Sequence, residues 1–219
     1  VVTIVSILAV IAIPVYADIN PKTFNIDAKE IEKKITDKTK AIYVVHYGGL
    51  MCDMDPIMEI AKKHNLYVLE DCAHTPGAEY KGRKAGSIGD VGCFSFHTAK
   101  NITTLGEGGV LTCKHDEDAE RIPGLRCYGS HTYPEGRERY WEPAMSNVDL
   151  DIPGVWPKNF SLGEAQCALG SELLKNLEAI NDTLIEQANR VKAALADTSE
   201  ISFARIPEGY RHVFCNFVM

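Results

Sequence analysis

The chain has 219 residues, 45% of them apolar and 24% charged, enough to bury a sizeable core as one large domain or part of a bigger one. A formal net charge of -7 argues against any role built on attraction to a phosphate backbone, so no nucleic-acid partner is expected. The seven cysteines, at 52, 72, 93, 113, 127, 167 and 215, form no CxxC pair and no Cys/His group at zinc spacing. They read as reduced thiols of a cytoplasmic protein, with no metal site.

The opening run "VVTIVSILAVIAIPVYA" carries no charge before Asp18, which raises a signal peptide or a membrane span. No basic residue precedes it and Pro14 interrupts it short of a full span. The favoured reading is a buried helix followed by a buried strand in "PVYADI", with no membrane role. A chain that starts on Val1 rather than methionine is expected to be a fragment or a processed product.

"NIDAKEIEKKI" (25–35) has a capping residue, early acids and apolar Ile26, Ile31 and Ile35, which predicts a helix against a core. "AIYVVH" (41–46) is a short apolar strand. "DMDPIMEIAKKH" (53–64) sets Met54, Ile57, Met58 and Ala61 on one helical face, with Pro56 in the first turn where proline is tolerated. "LYVLED" (66–71) and "VGCFSFH" (91–97) are further strands, with Cys93, Phe94 and Phe96 expected in the core. "GGVLTCK" (108–114) is a fourth strand and the one open to an antiparallel pairing. Short apolar strands separated by amphipathic helices describe an α/β fold, a mostly parallel sheet covered on both faces.

Residues 126–160, rich in aromatic, Pro and Gly residues, read as a long ordered excursion in which Trp141 and Trp156 serve as loop anchors. Helical periodicity resumes at Leu162, with a stripe of Leu173, Leu177, Ile180, Leu184 and Val191, and "RHVFCNFVM" closes the chain as a strand.

In open parallel sheets, ligands bind beyond the carboxyl ends of the strands. The polar residues there are His46, Glu70, Asp71, His74, His97 and Lys100. A carboxylate leaving "LYVLED" and a lysine following "CFSFH" share one sheet edge on this reading. A buried ion pair, or loop residues unrelated to each other, would give the same pattern. A lysine in a partly dry pocket can lose its proton and attack an aldehyde, and pyridoxal phosphate is the cofactor that most often uses this chemistry. Its pyridine nitrogen needs an acid and its phosphate needs hydroxyl and backbone donors. Asp71, Ser95 and Gly106, Gly108 and Gly109 are residues of suitable type.

The run "LEDCAHTPGAEYKGRKAGSIGDVGCFSFHTAKNITTLGEGG" resembles the core signature of the DegT/StrS-type sugar aminotransferases. These are pyridoxal-phosphate enzymes of fold type I. The likeness extends to "ADINPKTFNID", "VVHYGG" and "NFSLGEAQCALGSELLKNLE", and so to nearly the whole chain. It implies a fold type I large domain, incomplete at both ends: residues 1–171 as a partial cofactor-binding α/β domain, and 172–219 as a connecting helix and the start of a small C-terminal domain. Carried over residue by residue, Lys100 would hold pyridoxal 5'-phosphate as an internal aldimine and later move the proton, while Asp71 would pair with the pyridinium nitrogen. His74 would lie against the ring or its 3-hydroxyl, and Ser95 would bond the phosphate. Asn159 matches an asparagine that reaches the phosphate of a neighbouring subunit, which implies a homodimer with shared active sites. Here the family's "NYRM" reads "NFSL", so Ser161 stands where an arginine is usual.

The activity implied is transfer of an amino group from glutamate or glutamine to a keto sugar, nucleotide-linked, in cell-surface polysaccharide or natural-product sugar synthesis. The alternatives are a non-catalytic remnant of the fold, a pyridoxamine-dependent sugar dehydratase, a cyclitol aminotransferase and a membrane-anchored module using residues 1–17. The dehydratase is expected to carry histidine at the position of Lys100. His46, Tyr47, His97 and Arg126 are open to lining the substrate pocket or to ordering backbone. The family's upstream glycine and threonine phosphate segment has no counterpart before Val1, so this polypeptide alone is expected to bind cofactor poorly or not at all.

Overall fold

The computed structural model describes residues 2–127 and 158–219. Trp141, Trp156 and most of the 126–160 excursion lie outside the described residues. In chain order the elements are α1 (Val2–Ala9), α2 (Ala28–Glu32), β1 (Ala41–Val45), α3 (Met54–His64), β2 (Tyr67–Asp71), β3 (Glu79–Tyr80), β4 (Arg83–Lys84), β5 (Val91–Ser95) and β6 (Gly109–Cys113). Then follow α4 (Asp116–Arg126), α5 (Glu164–Lys175), α6 (Leu177–Ala194) and β7 (Tyr210–Arg211).

A four-stranded sheet runs β1-β2-β5-β6. β1, β2 and β5 are parallel, and β6 closes the edge antiparallel to β5. The α/β reading holds, including the direction of the fourth strand. The register sets Val45 beside Asp71, and Asp71 beside Cys93, so three strand ends converge on one edge. A small antiparallel sheet, β4-β3-β7, brings the end of the chain back to the turn after β2.

The two faces of the main sheet differ. Ile42, Val44 and Val68 are buried with Ile31 of α2 and Met54, Ile57 and Ala61 of α3 in one core cluster. Each such buried aliphatic contributes about 1.5–3 kcal/mol, so this face carries most of the stability. Tyr43, Leu69, Asp71 and Cys93, on the opposite face by the two-residue period of the strand, are half-buried. There α1 touches the sheet through polar groups, as Thr3 donates to Asp71 and Ser6 bonds Tyr43.

Several expectations need correction. The opening run forms α1, but Val5, Leu8, Val10 and Ile11 are exposed, and no strand forms in "PVYADI", where Val15, Tyr16 and Ile19 are open to solvent. Pro14 cannot donate to a ladder, and the nearest pairing is an isolated bridge between Ile19 and Ile26. The 25–35 helix shortens to Ala28–Glu32, started by Asp27 accepting the Lys29 amide at 2.9 Å, although Ile26, Ile31 and Ile35 all still meet the core. Phe96 is buried, but Cys93 and Phe94 are half-buried, because their neighbour β6 is an edge strand with Val110 and Leu111 exposed.

Finally, "RHVFCNFVM" pairs as a strand only at Tyr210–Arg211. Phe214 turns left-handed, at φ 48°, and the segment docks instead on the loop after β1: the Val213 amide donates to Gly49 O at 3.1 Å and Asn216 to Gly48 O at 3.0 Å. The approach is so close that a Cβ on Gly49 would lie 2.7 Å from the Phe214 nitrogen. In the helical region Leu173, Leu177, Ile180 and Leu184 are half-buried as a stripe, whereas Val191 is exposed.

Candidate active site

β2 ends in two adjacent carboxylates that the pleat sends to opposite faces. Glu70 enters the core, fully buried. Its Oε1 accepts the amides of Ile88 at 2.9 Å and Gly89 at 2.6 Å, and its Oε2 accepts Gly86 N at 3.1 Å and His46 Nε2 at 2.9 Å. Burial pushes this carboxyl up, but the His46 bond and the amides outweigh it and hold it below the ordinary value. His46 Nδ1 accepts the Cys52 amide at 3.1 Å, so the ring proton sits on Nε2. Both imidazole nitrogens are therefore occupied and His46 is fully buried, which makes it a scaffold residue and removes it from the pocket candidates. Those bonds also leave the close trio of His46, Glu70 and Cys72 without a free imidazole nitrogen to offer a cation.

Asp71 faces the half-open side. Its Oδ1 accepts the Ala73 amide at 3.1 Å and its Oδ2 accepts Thr3 Oγ1 at 2.9 Å, which fixes the carboxylate and leaves each oxygen a second lone pair. The Tyr43 phenol on the same face is raised to about 12 by burial and, less strongly, by the charge of Asp71. His74, on the loop after β2, accepts the Gly48 amide on Nδ1 at 3.2 Å and meets the Tyr47 ring edge-on at 6.0 Å. Its pKa is lowered, first by burial and then by the positive charge of Lys100, with Asp71 pulling the other way. The imidazole therefore feels both Asp71 and Lys100, and the three residues form one electrostatic group.

Lys100 is half-buried on a loop closed at its base: Phe96 N bonds Gly108 O at 2.8 Å, Thr98 N bonds Gly106 O at 3.0 Å, and the Lys100 amide bonds His97 O at 2.9 Å. Among the described residues its ammonium has no carboxylate partner within ion-pair distance. The Cys215 thiol, raised by burial, is pulled back down by Lys100, which places the C-terminal segment beside this lysine. Ser95 ends β5 on the face of Cys93, and so of Asp71, about 7 Å further along the strand at 3.3–3.4 Å per residue. Its Oγ accepts the His97 amide at 3.3 Å.

The remaining predicted residues lie elsewhere. Asn159 is exposed, with Oδ1 accepting the Ser161 amide at 2.9 Å, and joins no bond of this group. His97 is exposed and accepts the Ala99 amide on Nδ1 at 3.1 Å, shaping the turn into Lys100. Arg126 is exposed at the end of α4, where its carbonyl accepts the Phe160 amide at 2.7 Å. Tyr47, an exposed residue, meets the His74 ring edge-on.

The donor set suits pyridoxal phosphate in kind: a primary amine without a counter-ion among the described residues, a braced carboxylate with spare lone pairs, an imidazole that both act on and a hydroxyl on the same sheet face as the carboxylate. The family model described as the DegT/DnrJ/EryC1/StrS aminotransferase family matches residues 1–219. The chain belongs to that family. Among its relatives, GDP-perosamine synthase of Caulobacter vibrioides is 43% identical over 79% of this chain and 42% of that protein. The spore coat polysaccharide biosynthesis protein SpsC of Bacillus subtilis is 38% identical over 95% of this chain and 52% of its own length. The solved aminotransferase of Psychrobacter cryohalolentis, 33% identical, superposes with a TM-score of 0.81 over 97% of this chain and 55% of that one. The aminotransferase fold implied by the sequence resemblance is the one that forms, and the chain spans about half the length of the relatives it matches. No described helix is long and apolar enough to cross a membrane.

Proposed function

We propose that the whole protein is a cytoplasmic, pyridoxal-phosphate-dependent aminotransferase that moves an amino group from glutamate or glutamine onto a nucleotide-linked keto sugar. On this reading, residues 1–171 are the cofactor-binding part and 172–219 lead into a smaller domain. The observation that carries the proposal is Lys100, a half-buried amine with no counter-ion among the described residues, whose charge acts on His74, in a chain of this family. The names of GDP-perosamine synthase and of the spore coat protein support a nucleotide-linked sugar used in a surface polysaccharide.

Bound pyridoxal phosphate supplies an aldehyde for the amine and a ring that absorbs carbanion charge. The protein's part is positional and acid-base. Lys100 Nζ holds the cofactor and carries the proton to and from the substrate carbon. Asp71, fixed by Thr3 and Ala73, keeps the pyridine nitrogen protonated through a charge-assisted bond worth about 1.5–3 kcal/mol. His74, with its Nδ1 engaged by Gly48, presents a ring face or its Nε2 proton, and the Ser95 hydroxyl takes the phosphate. Asn159, exposed and outside this group, is assigned to the neighbouring subunit's phosphate in a homodimer. A screen of amino donors and sugar nucleotides on the full-length protein, followed by the cofactor's absorbance, tests the reading. It fails if no donor converts the cofactor to its amine form.

A further inference from the structure

Helix α6 buries one polar side chain completely, that of Asn181. A buried amide is costly unless its bonds are made, and Asn181 makes them to two separate loops. Its Nδ2 donates to the Pro76 carbonyl at 2.8 Å, and its Oδ1 accepts Asn101 Nδ2 at 3.0 Å. Pro76 lies two residues beyond His74, and Asn101 is the neighbour of Lys100. Asn101 Nδ2 donates a second time, to the Val213 carbonyl at 3.1 Å, which ties in the segment that carries Cys215. The arrangement has little slack, because Gly77, at φ +81°, lies so near that a Cβ there would be 2.5 Å from Asn181 Nδ2.

A leucine would fill this volume if packing were all that was required. Only a side chain with a donor at one end and an acceptor at the other satisfies a carbonyl and an amide at once. We propose that Asn181 is a positioning residue: from helix α6 it fixes the separation of the two loops that present His74 and Lys100 to the cofactor. This rests on the assignment of those two residues given above. Asn181 touches neither side chain, and its effect passes through backbone. Misplacement of reacting groups by about 1 Å can cost 10²-fold in rate, so a helix outside the site can govern turnover.

The test uses the coupling between His74 and Lys100 in the full-length, cofactor-free protein. His74 is titrated by NMR with and without Lys100→Met, in the unsubstituted background and with Asn181→Leu or Asn101→Ala. Asp71, the other charge facing His74, stays in place in all of them. Removing the lysine charge should raise the His74 pKa in the unsubstituted background, and that rise should be lost or clearly diminished in both variants. Asn101→Ala frees the lysine loop from both Asn181 and Val213 while leaving the Asn181–Pro76 bond in place, so it carries the test if Asn181→Leu does not fold. An undiminished rise in Asn101→Ala overturns the inference. Because the titration needs no cofactor, an absence of amino transfer would sink the enzymatic assignment while leaving the tether to be judged by its own measurement.

Discussion

His46 gives its Nε2 proton to Glu70 across 2.9 Å, with both side chains sealed from solvent. The pair anchors the turn at 86–89 to the ends of β1 and β2, since Glu70 also gathers three backbone amides from that turn. Glu70→Gln places an NH2 group among donors, and His46→Ala leaves a buried carboxylate one partner short. Each should lower stability by about 1.5–3 kcal/mol, the usual worth of a hydrogen bond to a charged group, read from urea unfolding midpoints. A loss below about 1 kcal/mol in both would show that the pair is dispensable.

His212 gives the protein an acid-sensitive joint. Its pKa is depressed to about 4, by burial first and by the Lys192 charge second, while it stacks on Phe214 at 3.9 Å and accepts that residue's amide on Nδ1 at 2.9 Å. A depressed histidine stays neutral in the fold while the unfolded chain takes up its proton near pH 6.5, so stability holds above that pH and falls between about 6.5 and 4. The share due to His212 is roughly 3 kcal/mol. Denaturation at pH 7 and pH 4.5 should show a smaller acid loss in His212→Gln than in the unsubstituted protein, and equal losses would refute it.

Lys100→Ala should reduce amino transfer by at least about 10²–10⁴-fold, as expected for loss of the acid-base group, and abolish the absorbance of the lysine-bound cofactor. Asp71→Asn should cost about 10- to 150-fold, the rate equivalent of one charge-assisted bond. Both variants should keep the far-UV spectrum of the parent, because neither side chain belongs to the buried core cluster. Activity within about twofold of the parent in either would remove that residue from its assigned role.

Gly49→Ala should loosen the end of the chain. The added methyl meets the Phe214 nitrogen at 2.7 Å and the Cys215 nitrogen at 3.0 Å, at a φ of +111° that side chains rarely adopt. A stability loss of about 1–3 kcal/mol is expected. Faster hydrogen exchange at the Val213 and Asn216 amides, which bond this loop, is the specific signature. Unchanged exchange there would contradict the close approach.

Much of this was readable from local pattern. β1, α3 and β2 fall within a residue of their expected bounds because periodicity and capping are local signals, and the apolar stripes of α2 and α3 reach the core as expected. The parity of β1 held an unused clue: Ile42, Val44 and His46 are spaced by two, so a histidine in line with buried aliphatics belonged to the scaffold rather than the pocket. Asn181 gave no such sign, being 80 residues from its partner Asn101, and pairings of that reach are set by tertiary packing. The opening run misled for the converse reason. Hydrophobicity marks a segment suited to burial, and burial also needs something laid over it.

Glu70 and Asp71 stand side by side in the chain and on opposite faces of the sheet, and this constrains how the protein can change. At 70 the requirement is for an acceptor of the right length to meet four donors; at 71 it is for a charge held still. Two near-identical acids thus answer to unlike structural requirements at adjacent positions. A single-residue insertion at the start of β2, carried through the strand, would slide Glu70 into the place of Asp71 and Leu69 into that of Glu70. This stretch can absorb some point substitutions far more readily than any change in length.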